Sequence, residues 1–247
     1  MLAAERHARI LEYLEHRERA SVEQLATVLA TSATTVRRDL TSLQRAGFLR
    51  RVHGGAVRGR RLPPTVPSPP TDDALARSIR RRLTPGDAVI LVGPLVMPIV
   101  ARQLAADPMR LIVVTNQLDV AQVLLGNSGI DVILLGGKLH PDGYTLPQPI
   151  GAADLKYLVA MKIFLEVEGV RHDVGITASA AEDARYKHDL LQHALQKTIV
   201  APAGRWGLAF GHRVAKLSAV DCWITTPLSA AQREDIGDIP CEVEESR

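Results

Sequence analysis

Apolar positions recur with a helical period through the first fifth of this chain. Ile10, Leu11 and Leu14 give one stripe, and Val22, Leu25, Ala26 and Leu29 fall at i, i+3, i+4 and i+7 in a second. Two short amphipathic helices are predicted. Ser21 is placed to cap the second, with Gln24 three residues later able to complete a capping box. Ser32 is the expected cap of a third helix whose buried stripe is Val36, Leu40 and Leu43. The opposite face then carries Thr34, Arg37, Arg38, Thr41 and Arg45, with no carboxylate among them. Asp39 falls to the side and is expected to orient a neighbouring arginine or donor. After Gly47 the chain can turn, and 48–52 with 56–58 are expected to pair around His53-Gly54-Gly55, with Arg50, Arg51 and Arg58 supplying charge.

Further along, short apolar runs alternate with helical stretches. Segments 88–92, 111–114, 131–135, 162–167, 198–201 and 222–225 read as strands buried on both faces. Helices are predicted near 74–82, 99–105, 120–125, 151–158, 182–196 and 230–236. This alternation favours an α/β layer with a mainly parallel sheet, whose ligands sit at the carboxyl ends of the strands. Four loops qualify: Gly93-Pro94-Leu95, Thr115-Asn116, Gly136-Gly137-Lys138, and Pro202 to Gly207.

Between the two patterns lies Gly59 to Pro70, with five prolines. Proline blocks helical hydrogen bonding and favours an extended spacer, so a linker is expected. The resulting division is a head over 1–58, a linker over 59–73 and a larger domain over 74–247.

Charge sharpens the picture of the head. Residues 1–61 hold 12 Lys and Arg against 6 Asp and Glu, a net of +6, whereas 62–247 hold 18 against 21, a net of −3. Positive charge concentrated on the smallest segment is the footprint of nucleic-acid binding. Hydroxyls suit phosphate oxygens, and arginine suits either phosphate or the edge of a guanine. The candidate DNA contacts are Ser32, Thr34, Thr35, Arg37, Arg38, Thr41, Arg50, Arg51, His53 and Gly54, and the partner is double-stranded DNA. A solvated helix face is the bland alternative.

The remaining composition mostly excludes. Of 247 residues, 46% are hydrophobic, enough for a small head and one well-buried larger domain. No apolar core of signal-peptide length opens the chain, and no run reaches the about 18 residues needed to span a membrane, so a cytoplasmic protein is expected. Cys222 and Cys241 lack metal-ligand or paired spacing and are expected as buried thiols. His140 and His172 lack partners at ligand spacing, so no metal and no cofactor is assigned. The strings GxxxxGK[ST], GxGxxG and GxSxG do not occur, and no catalytic residue is assigned. An isomerase-like enzyme stands as the alternative of a different class.

Thr35-Val36-Arg37-Arg38-Asp39-Leu40 and Arg51-Val52-His53-Gly54-Gly55-Ala56, within Arg6 to Arg58, resemble the DeoR/GlpR family of bacterial transcriptional regulators. The resemblance implies a winged helix-turn-helix head and a sensor similar in fold to ribose-5-phosphate isomerases and coenzyme A transferases. It further implies repression of sugar-catabolic operons and release of operator DNA when a phosphorylated sugar binds. It extends over about 74–227 through Thr115-Asn116, Leu134 to Gly137, Phe164, Gly169, Gly175 and Lys187. Gly93, Thr115, Asn116, Gly136, Gly137, Lys187 and Arg205 are the candidate contacts for a small anionic effector. Departures cluster in the same places. Leu91 to Pro98 replaces a glycine followed by hydroxyl residues, and Pro94 removes a backbone N–H. Pro202 to Gly207 lacks the family's carboxylate, and Met161 and Glu166 stand where an acid and a glycine are common. A phosphorylated sugar or polyol, another small metabolite, and a sensor without response all remain open, as does the choice between homodimer and homotetramer.

Overall fold

The computed structural model describes residues 3–17, 19–45, 49–52, 54–58, 70–136 and 157–247. Gly47, Phe48, His53, most of the expected linker, Gly137, Lys138, His140 and the greater part of the helix expected over 151–158 lie outside the described residues.

The head contains α1 (Ala3–His16), β1 (Arg19–Ser21), α2 (Val22–Val28), α3 (Ala33–Arg45), β2 (Leu49–Val52) and β3 (Gly55–Arg58). The apolar stripes of the three helices meet: Ile10, Leu14, Leu25, Leu29, Val36, Leu40 and Leu43 form one core with Leu49 and Ala56. Both halves of the Ser21 capping box are present, Gln24 N donating to Ser21 Oγ at 3.1 Å and Ser21 N to Gln24 Oε1 at 2.9 Å. The hairpin is the expected wing, yet β1 adds a third antiparallel strand in the order β1-β3-β2.

The second unit begins with α4 (Pro70–Arg81), so Pro70 to Asp73 are its first turn rather than linker. Proline is preorganised for an opening helical turn, and Asp72 and Asp73 face the positive end of the dipole. There follow β4 (Ala88–Val92), α5 (Met97–Ala106), β5 (Leu111–Thr115), α6 (Leu118–Leu124), β6 (Ile130–Leu134), β7 (Ala160–Glu166), β8 (Gly169–Arg171), β9 (Gly175–Ala178), α7 (Ala181–Leu191), β10 (Ala194–Val200), β11 (His212–Ala215), β12 (Cys222–Thr225), α8 (Ala230–Ile236) and β13 (Glu242–Glu245). Seven strands form one sheet in the order β13-β12-β10-β7-β4-β5-β6, and every pairing is parallel. One face packs on Val89, Leu91, Val100, Leu104 and Val113, the other on Ile90, Ile163, Leu165, Ile199 and Trp223. An antiparallel sheet, β11-β9-β8, lies in the second of these clusters through Val170, Ile176 and Val214.

The α/β class and mainly parallel sheet agree with the sequence, and three local expectations do not. The helix expected over 182–196 ends at Leu191, because Ala194 to Val200 pairs along β7. Segment 131–135 was expected to be buried on both faces, but among the described residues β6 is an edge strand, with Ile133 and Leu134 45% and 40% exposed. Cys222 is buried as expected, and Cys241 is only half-buried; both are free thiols. His172 is exposed in a turn.

Candidate nucleic-acid interface and sensor cleft

The geometry of α3 follows from its burial. Val36, Leu40 and Leu43 are inaccessible, which turns Thr34, Arg37 and Arg38 to solvent and leaves Thr41 half-buried beside them. Ser32 Oγ accepts from Thr35 N at 3.1 Å and lies 2.9 Å from Thr35 Oγ1, so these two hydroxyls first hold the helix start. Thr41 Oγ1 donates to Arg37 O at 2.7 Å and accepts from an Arg51 guanidinium nitrogen at 2.9 Å. Arg51 N also donates to Gln44 Oε1 at 2.8 Å, so the wing strand is tied to the polar face of α3 by both backbone and side chain. Arg50 lies in the same strand, and His53 lies outside the described residues.

Two wing glycines have different jobs. Gly54 takes φ +79° in open space, and its carbonyl accepts from Val22 N at 2.9 Å. A Cβ on Gly55 would stand 2.2 Å from Ala20 O, so the close approach of β3 to β1 requires glycine there.

Asp39 is the sole carboxylate of α3 and points away from the exposed arginines. It is 4% exposed and accepts from Arg6 Nε at 2.8 Å, from an Arg6 terminal nitrogen at 3.2 Å, and from His7 Nε2 at 3.2 Å. The bond to Asp39 raises the Arg6 pKa, whereas burial lowers that of His7 against the pull of Asp39. The sequence reading that Asp39 orients an arginine is realised with Arg6, which was not foreseen as its partner.

In the sensor, the carboxyl ends of β4, β5 and β7 converge. Gly93 follows β4 and is buried. The Glu166 carboxylate, at the end of β7, accepts from Leu95 N at 3.1 and 3.0 Å, from Val96 N at 2.6 Å and from Met97 N at 3.1 Å. A Cβ on Gly93 would lie 2.3–2.4 Å from the Glu166 side chain, so Gly93 is needed for passage of that side chain. Thr115 is buried and its Oγ1 accepts from Gln117 N at 3.1 Å. Asn116 is also buried, and Gln117 stands at the N-cap position of α6 without a side-chain capping bond. Gly136 is exposed in open space, and Gly137 lies outside the described residues.

Lys187 and Arg205 lie in the field of carboxylates at this end of the sheet. Lys187 Nζ pairs with Asp183 at 2.7 Å. Burial acts to lower its pKa, but Asp183, Glu168 and Glu166 outweigh burial and raise it. Arg205 is 5% exposed, donates to Glu168 O at 3.4 Å and feels the charges of Glu168, Glu166 and Asp72. Burial pulls its guanidinium down to about 9. Burial likewise raises the Asp72 carboxyl, reinforced by Asp73 and opposed by Arg205. Glu168, Asp183 and Asp72 are the residues that sequence reasoning did not place in the site, and Glu166 was marked only as a departure from the family pattern, without a partner. The available signal was an acid closing the apolar run Ile163-Phe164-Leu165.

Cys222, Glu242 and Glu244 bring donor atoms within 4.8 Å of one another. Arg82 serves both carboxylates there, donating to Glu244 at 2.5 Å and Glu242 at 2.8 Å, and burial raises the Cys222 thiol to about 12. That chemistry suits an ion pair better than a metal.

A winged helix-turn-helix head followed by a parallel α/β domain defines a DNA-reading regulator with an appended sensor. Residues 6–61 match the DeoR-like helix-turn-helix domain and residues 72–226 the DeoR C terminal sensor domain. The chain belongs to the DeoR family of transcriptional regulators. It is 30% identical over 240 residues to the HTH-type transcriptional repressor GlcR of Bacillus subtilis, covering 92% of this chain and 90% of that protein. It is also 30% identical over 244 residues to the HTH-type transcriptional regulator GlpR of Haloferax volcanii, covering 96% and 95%. Among solved structures, ribose 5-phosphate isomerase A from Methanocaldococcus jannaschii covers 55% of this chain and 53% of its own, at TM-score 0.39 and 7% identity. Among the described residues, no helix is long and apolar enough to cross a membrane.

Proposed function

We propose that this chain is a cytoplasmic repressor of carbohydrate-related genes that reads double-stranded operator DNA with Thr34, Arg37, Arg38 and Thr41 of α3 and with Arg50, Arg51 and Gly54 of the wing. The carboxylate-free face of α3 carries this reading: its one acid is folded inward onto Arg6 and His7, so nothing on that face repels phosphate. Ser32 and Thr35 contribute by fixing the helix start that approaches the duplex. The Thr41–Arg51 contact sets the wing against the recognition helix, so groove and backbone contacts are delivered as one rigid unit.

The head over 1–58 and the sensor from α4 onward form separate cores, and oligomerisation through the sensor would hold two heads at the spacing of operator half-sites. A metabolite bound by the sensor acts on DNA affinity only through different affinity for the two head arrangements.

Duplexes selected from a random pool, followed by affinity measured across a salt series, test the reading. Arg37→Ala and Arg38→Ala should each weaken binding and lower the magnitude of the salt slope by about 1 if they contact phosphate. Folded variants with unchanged affinity and slope would remove α3 from the interface.

A further inference from the structure

The loop between β4 and α5 has the geometry of an anion cradle. The N–H groups of Leu95, Val96 and Met97 converge on one point at the start of a ten-residue helix, where unsatisfied amides and the helix dipole both favour negative charge. A phosphate oxygen fits such a point as well as a carboxylate oxygen does. The occupant is Glu166, and a single oxygen, Oε1, receives all three amides. Gly93 leaves the space through which the side chain enters, since a Cβ there would collide with the Glu166 Cβ, Cγ and Cδ.

The surroundings add to this. Among the described residues, Lys187 and Arg205 lie in the field of Asp183, Glu168, Glu166 and Asp72, two bases against four acids. Lys187 is held at 2.7 Å by Asp183, which leaves little positive charge to receive a dianion. A carboxylate delivered from within the folded chain also competes at an effective concentration of at least the millimolar range, which a free phosphate compound must exceed. The cradle and Lys187 are therefore not open to a phosphorylated ligand without displacement of an internal carboxylate.

We propose that Glu166 is a tethered internal anion that fills the sensor's cradle in place of a ligand phosphate, so that the wild-type chain excludes phosphorylated metabolites from this loop. The proposal deepens the sensor part of the preceding reading and leaves the DNA-binding part untouched. Any effector of the wild-type chain then bonds to groups of the cleft other than these three amides.

The test is titration of the full-length protein with inorganic phosphate, without DNA, against chloride at matched ionic strength. Calorimetry gives affinity, and amide exchange at 95–97 gives location. Wild type should show no phosphate-specific heat and slow exchange at these amides. Glu166→Gly should bind phosphate at least about tenfold more tightly than wild type, with the freed amides exchanging faster until phosphate protects them. Glu166→Gln keeps an oxygen acceptor for the loop and removes the charge, so it serves if the glycine variant fails to fold, and it too should gain phosphate affinity. Wild type binding phosphate at 95–97 as tightly as a folded variant would overturn the proposal. So would the absence of phosphate binding in every folded variant. Because no DNA is present, failure of operator binding and failure of this result are separate outcomes.

Discussion

Replacing Asp39 with asparagine separates a strut inside the head from a contact to DNA. The carboxylate is buried and accepts two bonds from Arg6, at 2.8 and 3.2 Å, and one from His7 at 3.2 Å. Asparagine has nearly the same volume, so the substitution removes charge without opening a cavity. A hydrogen bond to a charged group is worth about 1.5–3 kcal/mol. The full sum of three is not expected, because Arg6 keeps 16% of its side chain exposed and the amide oxygen still accepts from one donor. A loss of about 2–3 kcal/mol follows, confined to the contact between α1 and α3. At about 1.36 kcal/mol per decade, amides of these helices that exchange through opening of the head should exchange roughly 30- to 150-fold faster. Hydrogen exchange read by mass spectrometry on the full chain measures this, with β4 and β7 as unaffected internal references. Combined with Arg6→Ala, the cycle should show a coupling of about 1–3 kcal/mol. Under conditions where the head stays folded, the salt slope for operator binding should equal that of wild type. Unchanged exchange would refute the strut, and a changed salt slope would put Asp39 in the DNA interface.

His7 gives the head a pH dependence of known sign. Its folded pKa lies below the ordinary 6.5, so the unfolded chain binds more protons as pH falls through that value, and head stability should be level above it and decline below it. His7→Gln should flatten the decline between about pH 6.5 and 5, before carboxylates titrate; stability that rises on acidification would contradict the assignment. The wing glycines should differ in kind. Gly55→Ala forces a Cβ to within 2.2 Å of Ala20 O and should cost about 1–3 kcal/mol together with weaker operator binding, because β3 must part from β1. Gly54→Ala meets open space at φ +79° and should cost only about 1–2 kcal/mol of backbone strain; denaturant midpoints showing Gly54→Ala as the more damaging change would overturn this account of the wing.

The head was legible because its signals are local. Ser21 with Gln24, the spacing of Val22 to Leu29 and the stripe Val36, Leu40 and Leu43 all act within a few turns of chain. β1 escaped because Arg19-Ala20-Ser21 is three residues long with one buried side chain, and only its pairing with β3 makes it a strand. In the sensor, the run 88–92 announced β4 by itself. The helix drawn to 196 failed because Leu190, Leu191, Ala194 and Leu195 continue a helical spacing, whereas pairing of Ala194 and Gln196 with Ala160 and Lys162 decides the conformation. β8 and β9 are adjacent in the chain, but β11 joins β9 only across 34 to 39 residues, and the glycines of this sheet serve close approach rather than turns alone. A Cβ on Gly169 would stand 2.6 Å from Leu208 O, and one on Gly175 would stand 2.3 Å from Ala215 O.

The cleft was the least legible part, for a reason that the two buried carboxylates make plain. Glu166 closes an apolar run, whereas Asp39 follows Arg37-Arg38 inside α3, and sequence alone gives the partner of neither carboxylate. Their effects on ligands are opposite because of what each meets in space. Asp39 turns into the head and bonds to α1, so removing its charge from the surface leaves the α3 face wholly cationic or neutral. Glu166 reaches across from β7 to the start of α5 and brings charge to the place where a free anion would otherwise gain most. Net charge by domain, +6 in the first 61 residues and −3 beyond, therefore understates the contrast. The cations that attract a polyanion are exposed on one helix face of the head, whereas the acids of the sensor cleft are buried or half-buried beside Lys187 and Arg205. A carboxylate is thus withdrawn from the surface at the head, where the exposed charge favours a polyanion, and inserted at the cleft, where under the proposal above it disfavours a phosphorylated ligand.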